Sequence, residues 1–171
     1  MISLKIMNEV DTYNRMKHIY EIKTLENTKT SKMSFAKKVA ETLNSPKGWH
    51  QIVTFQEGKS DSLIIILAPA ADLPSYSKAC SIKWSCRVGK YVIINEDRWL
   101  GASESWNSEG GKLRDYQHMV VNHEVGHWLG LEHASPDSPG RPAPLMQQQS
   151  ISLQGCTPNP WPLRVELRYE E

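Results

Sequence analysis

HEVGHWLGLEH, residues 123–133, is the stretch from which both the fold and the chemistry of this chain can be argued. His123 and His127 are four residues apart, so on a helix they lie one turn apart on the same face and their imidazoles reach the same point. Two nitrogen ligands at this spacing are typical of a zinc site. Glu124 is placed beside that point, where its carboxylate can hydrogen-bond a water on the metal instead of occupying the metal.

Gly130 and His133 complete the pattern. A third ligand from the same short segment requires the chain to leave the helix sharply, and glycine adopts the necessary positive φ at little cost. His133 follows three residues later and can take the third corner, which leaves a fourth position open, as in catalytic zinc sites. A single histidine on a helix is usually a surface or core residue, and a pair with a glutamate between can arise by chance. All five positions together predict one catalytic Zn²⁺ ion held by His123, His127 and His133.

The flanking sequence alternates strand and helix signals. A helix is predicted where apolar residues recur at helical spacing up to Leu43, with Ser31 or Ser34 as its N-cap. A long helix is predicted over 113–129, ended by Gly130, and the glycine- and serine-rich stretch 100–112 is predicted to be a loop. Seven of the ten prolines follow residue 135, so the last quarter is expected to be irregular. Strands are predicted at 19–25, 52–55, 63–67 and 91–95.

Composition sets the broad class. The 171 residues fit one domain, and 39% hydrophobic residues are sufficient for a core. With 20 basic and 19 acidic residues the net charge is +1. This balance gives no excess of positive charge that would favour binding to nucleic acid. The longest apolar run, 63–70, is too short to span a membrane. Residues 1–20 contain no apolar stretch of the signal-peptide type.

The motif resembles the metzincin metallopeptidases, whose pattern H-E-x-x-H-x-x-G-x-x-H is followed by a turn carrying a methionine, the Met-turn. Met146 in the sequence PAPLMQQQ is the candidate, and the resemblance implies that it forms an apolar floor beneath the metal. The chain is most similar to a bacterial family of short metzincin-like domains without an assigned function, from about Tyr20 to Pro162. The similar segments are CRVGKYVIIN (86–95), Arg98-Trp99, VVNHEVGHWLGLEH (120–133), GRPAPLMQQQS (140–150) and GCTPNPWP (155–162).

This resemblance implies an α+β, metzincin-like zincin fold. A twisted, mostly parallel mixed sheet would pack with the active-site helix and a second helix, above an irregular C-terminal lobe. Residues 1–171 are then one catalytic domain, with an upper lobe at about 18–130 and a lower lobe at about 131–171. An extended peptide is expected to add to a strand edge, at 91–95 or its neighbour. The resemblance also implies a secreted or cell-surface monomer, although the chain shows no signal peptide and a cytoplasmic location stays open.

The chain departs from its relatives at two points. Some metzincins have a tyrosine two residues after the methionine, but here that position is Gln148, so no such tyrosine is assigned. Relatives often carry a cysteine shortly after the third histidine, and here Ala134 to Pro136 contain none, so Cys156 is expected to be unpaired. Cys80 and Cys86 are close enough for a local disulfide.

Several other residues leave alternatives open. His118 lies half a turn from the ligand face and is predicted not to bind the metal. Trp161 is either a wall of the substrate pocket or a core residue. The run Gln147–Gln149 either lines the site or caps turns, and the Arg98-Trp99 pair is predicted to be structural.

These residues predict a zinc-dependent hydrolase, and the resemblance implies a metalloendopeptidase acting on a peptide or protein. Zinc lowers the pKa of its water and polarises the carbonyl, while Glu124 takes the proton and passes it to the leaving amine. Two alternatives remain. One is a catalytically silent binding or adhesion module supported by zinc, for which Glu124 would have no use. The other is a hydrolase of a non-peptide amide.

Overall fold

The apolar and β-branched segments form one five-stranded sheet in the computed structural model, which describes residues 15–168. The strands are β1 (Lys17–Thr24), β2 (Thr54–Glu57), β3 (Ile64–Ala68), β4 (Cys86–Val88) and β5 (Tyr91–Asn95). The sheet has the order β2-β1-β3-β5-β4, and all neighbours are parallel except β4 and β5. Its central strand β3 is buried at every residue, as its continuous apolar run predicts.

The four predicted strands are confirmed with small shifts of their ends, but β4 was not predicted. This strand has three residues, too few to show an alternating pattern. It pairs with β5 on one side and lies at the edge of the sheet. The segment 91–95 is therefore an interior strand, and its neighbour β4 is the one with a free edge.

The described residues contain two short 3-10 helices, Trp49–Gln51 and Ala70–Ser75, and four α-helices: α1 (Lys32–Leu43), α2 (Glu96–Gly101), α3 (Glu104–Ser108) and α4 (Leu113–Trp128). Of the two predicted caps for α1, Ser31 is the one used, and its side chain accepts a hydrogen bond from the Ser34 amide at 3.2 Å. The prediction of a loop over 100–112 is wrong in part. Ser103 caps the short helix α3, and the fully buried Trp106 anchors it.

The long helix α4 ends as predicted. Gly130 has a φ of 98°, and its amide hydrogen-bonds the carbonyl of His127 at 3.0 Å. The Leu131 amide bonds the Gly126 carbonyl at 3.0 Å. This pair of bonds is the Schellman motif, which turns the chain away from the helix axis and directs it towards His133.

The main core lies between one face of the sheet and helices α1 and α4, and it contains Phe35, Trp49, Trp106 and Val121. A second, smaller cluster covers the opposite face around Leu73 and Ile93. After α4 the described residues 129–168 contain turns and one isolated bridge, Pro142 with Thr157, so the prediction of an irregular last quarter is confirmed. The protein is thus α+β with a mixed five-stranded sheet.

None of the helices within residues 15–168 is long and apolar enough to cross a membrane. The prediction that the N-terminus has no signal-peptide stretch falls mostly on residues 1–14, which lie outside the described residues.

Candidate metal centre

The structure brings the three predicted histidines together. His123 and His127 lie on α4, and His133 returns to them after the turn at Gly130. One potential ligand atom from each residue lies within 4.8 Å of the others, and the Nε2 atoms of His127 and His133 are 3.1 Å apart. A tetrahedral zinc site with bonds of about 2.0–2.1 Å places neighbouring nitrogens about 3.3 Å apart. This spacing is close to the one that a single metal ion requires.

Two backbone carbonyls hold the helical imidazoles in place. The Nδ1 atom of His123 lies 2.9 Å from the Leu145 carbonyl, and the Nδ1 atom of His127 lies 2.8 Å from the Leu131 carbonyl. A carbonyl oxygen only accepts hydrogen bonds, so each Nδ1 carries the hydrogen and each neutral ring keeps its lone pair on Nε2. The donor set therefore fits a metal ion bound through Nε2.

The surroundings also keep these rings neutral. Burial lowers the pKa of His123 to about 3, while the hydrogen bond to the Leu145 carbonyl acts in the opposite direction. Burial likewise lowers the pKa of His127, which is half-buried. Since metal ligands must be deprotonated, burial prepares both imidazoles for binding near neutral pH.

Glu124 is buried beside the cluster and lines the cavity in front of it. Burial raises the pKa of Glu124 to about 8, and the positive charge of Arg87 acts in the opposite direction. A carboxyl group that titrates near neutrality is suited to accept a proton and to return it.

A cavity of about 350 Å³ opens onto the histidines. One wall comes from the segment 79–87, which contains the Cys80–Cys86 disulfide and strand β4. The second wall is the face of α4 with Met119 and Val120, and the third is the segment 148–151. The cavity therefore joins the candidate metal site to the free edge of the sheet.

Met146 lies in a turn closed by the hydrogen bond from the Gln147 amide to the Pro144 carbonyl at 3.1 Å. Its side chain is buried and packs against α4 at Gly126. A Cβ atom on Gly126 would lie 2.5 Å from the Met146 sulfur and 3.0 Å from the Trp49 ring, so only glycine fits there without displacement. The close contact between α4 and this turn thus depends on the absence of a side chain at Gly126.

Glu166 supports the same turn and is not among the residues predicted from the sequence. Its buried carboxylate accepts hydrogen bonds from the amides of Leu145, Met146 and Leu163 at 3.0, 2.8 and 2.7 Å. Leu145 is also the residue whose carbonyl receives the His123 hydrogen bond. A lone glutamate near the C-terminus has no motif that reveals this role.

The other predicted residues take separate places. His118 is outside the cluster, as predicted: its Nδ1 atom lies 2.8 Å from Thr42 Oγ1, and its ring packs on Trp161 at 4.9 Å. Trp161 does not line the cavity, so its interpretation as a pocket wall is wrong.

The three glutamines divide between the two interpretations. Gln148 is exposed and lines the cavity, while Gln147 is buried and its amide caps the carbonyls of Ser152 and Leu153. Gln149 does both, since it lines the cavity and bonds the Asn159 backbone.

The cysteine predictions are confirmed. Cys80 and Cys86 form a disulfide with Cα atoms 5.8 Å apart, and Cys156 is free and buried. The Arg98-Trp99 pair is structural as predicted, since Trp99 is buried against Phe35 and the Arg98 guanidinium lies over the Trp84 ring.

Comparison with protein families finds a match over residues 5–160 to the family described as "Protein of unknown function (DUF3152)". The matched range contains the three histidines, Glu124 and Met146, but not Glu166. No curated protein matches the chain.

Proposed function

The chain belongs to the DUF3152 family, a family of unknown function, and from its site we propose that it is a zinc-dependent metallopeptidase of the metzincin type. One observation carries this proposal: three imidazoles converge within 4.8 Å at the side of a cavity in which Glu124 is the buried acid. The fold agrees with the proposal, since a mixed sheet with a free antiparallel edge strand lies beside the helix that carries the motif.

The donor set favours zinc. Three neutral imidazoles suit Zn²⁺ better than Mg²⁺ or Ca²⁺, which prefer oxygen ligands. His123, His127 and His133 would hold the ion, and the cavity that they line would give a water or a substrate access to it. When bound, zinc supplies a Lewis acid that polarises a carbonyl and lowers the pKa of a water to about 7.

The residues of the chain supply the proton transfers. Glu124 takes the proton from the attacking water and delivers it to the leaving amine, which its buried position beside the histidines supports. The Leu145 and Leu131 carbonyls keep His123 and His127 in the required orientation. A zinc site with a purely structural role has no use for Glu124, which favours an enzyme over a silent binding module.

A peptide is the substrate that the surroundings favour. β4 has one unpaired edge, to which an extended chain can add through backbone hydrogen bonds. The adjoining cavity of about 350 Å³ has the size of a small-ligand pocket and can receive a side chain. The Cys80–Cys86 disulfide beside this cavity favours a protein that functions in an oxidising compartment, either at the cell surface or outside the cell.

The test compares the wild type with Glu124→Gln, and zinc content and peptide turnover are both measured on each protein preparation. The amide keeps the shape of the carboxylate but cannot accept a proton, so zinc content should stay at one ion per chain while peptide turnover falls by about 10²–10⁴-fold. Zinc is measured by elemental analysis, and turnover with a broad library of quenched fluorescent peptides.

Glu109→Gln is the matched control, because Glu109 is exposed and does not line the cavity. It should retain both zinc and turnover. A wild type that binds zinc but cleaves no peptide would overturn the peptidase proposal and favour the binding module. Full activity in zinc-loaded Glu124→Gln would contradict the role of Glu124.

A further inference from the structure

Arg87 occupies the middle of the edge strand β4, opposite Val92 in the register with β5. Side chains alternate between the two faces of a sheet, and directly paired residues share a face. Val92 belongs to the main core on the α4 side, whereas Cys86 and Val88 pack with the smaller cluster on the opposite face. Arg87 therefore lies on the side of the sheet that faces α4.

The cavity confirms this placement, because Arg87 lines it together with the three histidines and Glu124. The side chain is exposed at the cavity. Arg87 is the one lysine or arginine among the lining residues, and Glu124 is the one acid. The candidate site thus has a permanent positive charge next to the free strand edge.

The Arg87 guanidinium forms no ion pair and no side-chain hydrogen bond among the described residues, although its positive charge acts on Glu124 and His127. The ion pairs there join other residues, and the side-chain hydrogen bonds do not include Arg87. An arginine presents a planar fork of donors that matches a carboxylate in two parallel hydrogen bonds. An arginine that lines a cavity and forms no ion pair there is available to bind such a group.

We propose that Arg87 binds a carboxylate of the substrate and makes the protein selective for acidic peptides. The inference rests on the proposed function, since it takes the cavity and the edge of β4 as the place where a peptide lies. Two sources of the carboxylate have the same chemistry: an Asp or Glu side chain close to the cleaved bond, and the free C-terminus of a short peptide. A metal ion bound at the histidines would add positive charge and favour the same substrates.

The experiment uses three versions of one library peptide, chosen because the wild type cleaves it or, if no peptide is cleaved, chosen at random from the library. The first carries Glu at a position near the cleaved bond and an amidated C-terminus, the second carries Gln there, and the third carries Gln with a free C-terminus. Glu is placed in turn at three positions on each side of the bond. Values of kcat/KM are measured for the wild type, Arg87→Gln and Lys90→Gln.

Lys90→Gln is the matched control because it removes the same charge from the same hairpin. Lys90 does not line the cavity, and its ammonium group lies over the Tyr91 ring at 5.4 Å. The wild type and Lys90→Gln should prefer a carboxylate-bearing peptide over its neutral version by about 5- to 30-fold. Arg87→Gln should lose this preference, so that its kcat/KM values for the acidic and the neutral peptide agree within about twofold.

The two sources separate in the same data. Preference for the first peptide assigns a side-chain carboxylate, and preference for the third assigns the C-terminus. In either case the preference should weaken as salt is raised from about 0.05 to 0.5 M, because screening acts on the ion pair.

A binding measurement removes the dependence on turnover. Labelled versions of the same peptides are titrated with Glu124→Gln and with the double variant Glu124→Gln/Arg87→Gln, and fluorescence anisotropy is recorded. The acidic peptide should bind the single variant more tightly than the neutral peptide, and the double variant should bind both equally.

The outcomes distinguish this inference from the proposed function. Cleavage with no preference for a carboxylate, or a preference that survives Arg87→Gln, overturns the Arg87 assignment alone. Arg87-dependent binding without any cleavage overturns the peptidase and keeps Arg87 as a ligand contact. A wild type that neither cleaves nor binds the peptides overturns both.

Discussion

At the residue scale, the candidate site depends on groups outside the metal-binding motif. The Leu145 carbonyl orients His123, and the amides on either side of that carbonyl bond the carboxylate of Glu166. A buried carboxylate that accepts three backbone hydrogen bonds contributes more than a neutral acceptor, because charge-assisted bonds are stronger. Glu166 therefore connects the stability of the turn to the orientation of a ligand.

Glu166→Gln is expected to destabilise the protein by about 2–3 kcal/mol, since hydrogen bonds to a charged acceptor contribute about 1.5–3 kcal/mol each and the amide retains one acceptor oxygen. The zinc affinity should also fall by about 10–100-fold, because the variant loosens the carbonyl that positions His123. Urea unfolding measures the free energy, and competition with a chelator measures the affinity.

Glu109→Gln serves again as the control and should stay within about 0.5 kcal/mol of the wild type. A Glu166→Gln protein with unchanged zinc affinity would show that the carboxylate stabilises the fold without positioning the ligand.

At the element scale, the contact between α4 and the Met146 turn is decided by a residue without a side chain. Gly126 lies one residue before His127 on the helix, and the Met146 sulfur occupies the space where a Cβ atom would be. A glycine inside a helix costs about 1 kcal/mol relative to alanine. The close approach of helix and turn accounts for its presence here.

Gly126→Ala is therefore expected to destabilise the protein by about 1–3 kcal/mol, although alanine is the better helix former, because overpacking displaces Met146 or Trp49. The matched change is Gly101→Ala, at the end of α2, where a Cβ atom meets nothing within 4 Å. That variant should unfold within about 0.5 kcal/mol of the wild type. Thermal and urea unfolding of the two variants measure the difference, and equal stabilities would contradict the packing argument.

At the scale of the whole molecule, the site joins parts of the chain that are far apart in sequence. Its candidate ligands come from α4 and from the segment after it, while the supporting turn lies near residue 145 and is held by Glu166. An unfolded chain does not preserve this arrangement, so zinc should bind the native state in preference and stabilise it.

Zinc at about 100 times its Kd is expected to stabilise the protein by about 2.7 kcal/mol. For a chain of this size that corresponds to a rise in Tm of roughly 5–10 °C. Scanning calorimetry with zinc and with excess chelator measures the shift. His133→Ala should lose most of it, whereas His118→Gln should keep it, because His118 bonds Thr42 and is not in the cluster.

Local sequence patterns were sufficient to predict many of the helices and strands of this protein and the spacing of its histidines. The offset of His123 and His127 follows from helical periodicity, and Gly130 ends the helix before His133 because a Schellman turn needs a positive φ. The strand at 91–95 and the helix beginning near residue 32 were likewise predicted from their apolar spacing and caps. These features depend on residues within a few positions of one another, and so the sequence alone determines them.

Only the tertiary structure decided which distant residues complete the site. A three-residue strand such as β4 carries no periodic signal, so the sequence predicts neither which strand has the free edge nor the place of Arg87. Glu166 looks like any acid near a C-terminus until folding buries it against the turn at residue 145. Each of these roles depends on long-range packing, because the residues involved become neighbours only when the sheet and α4 have assembled around one core.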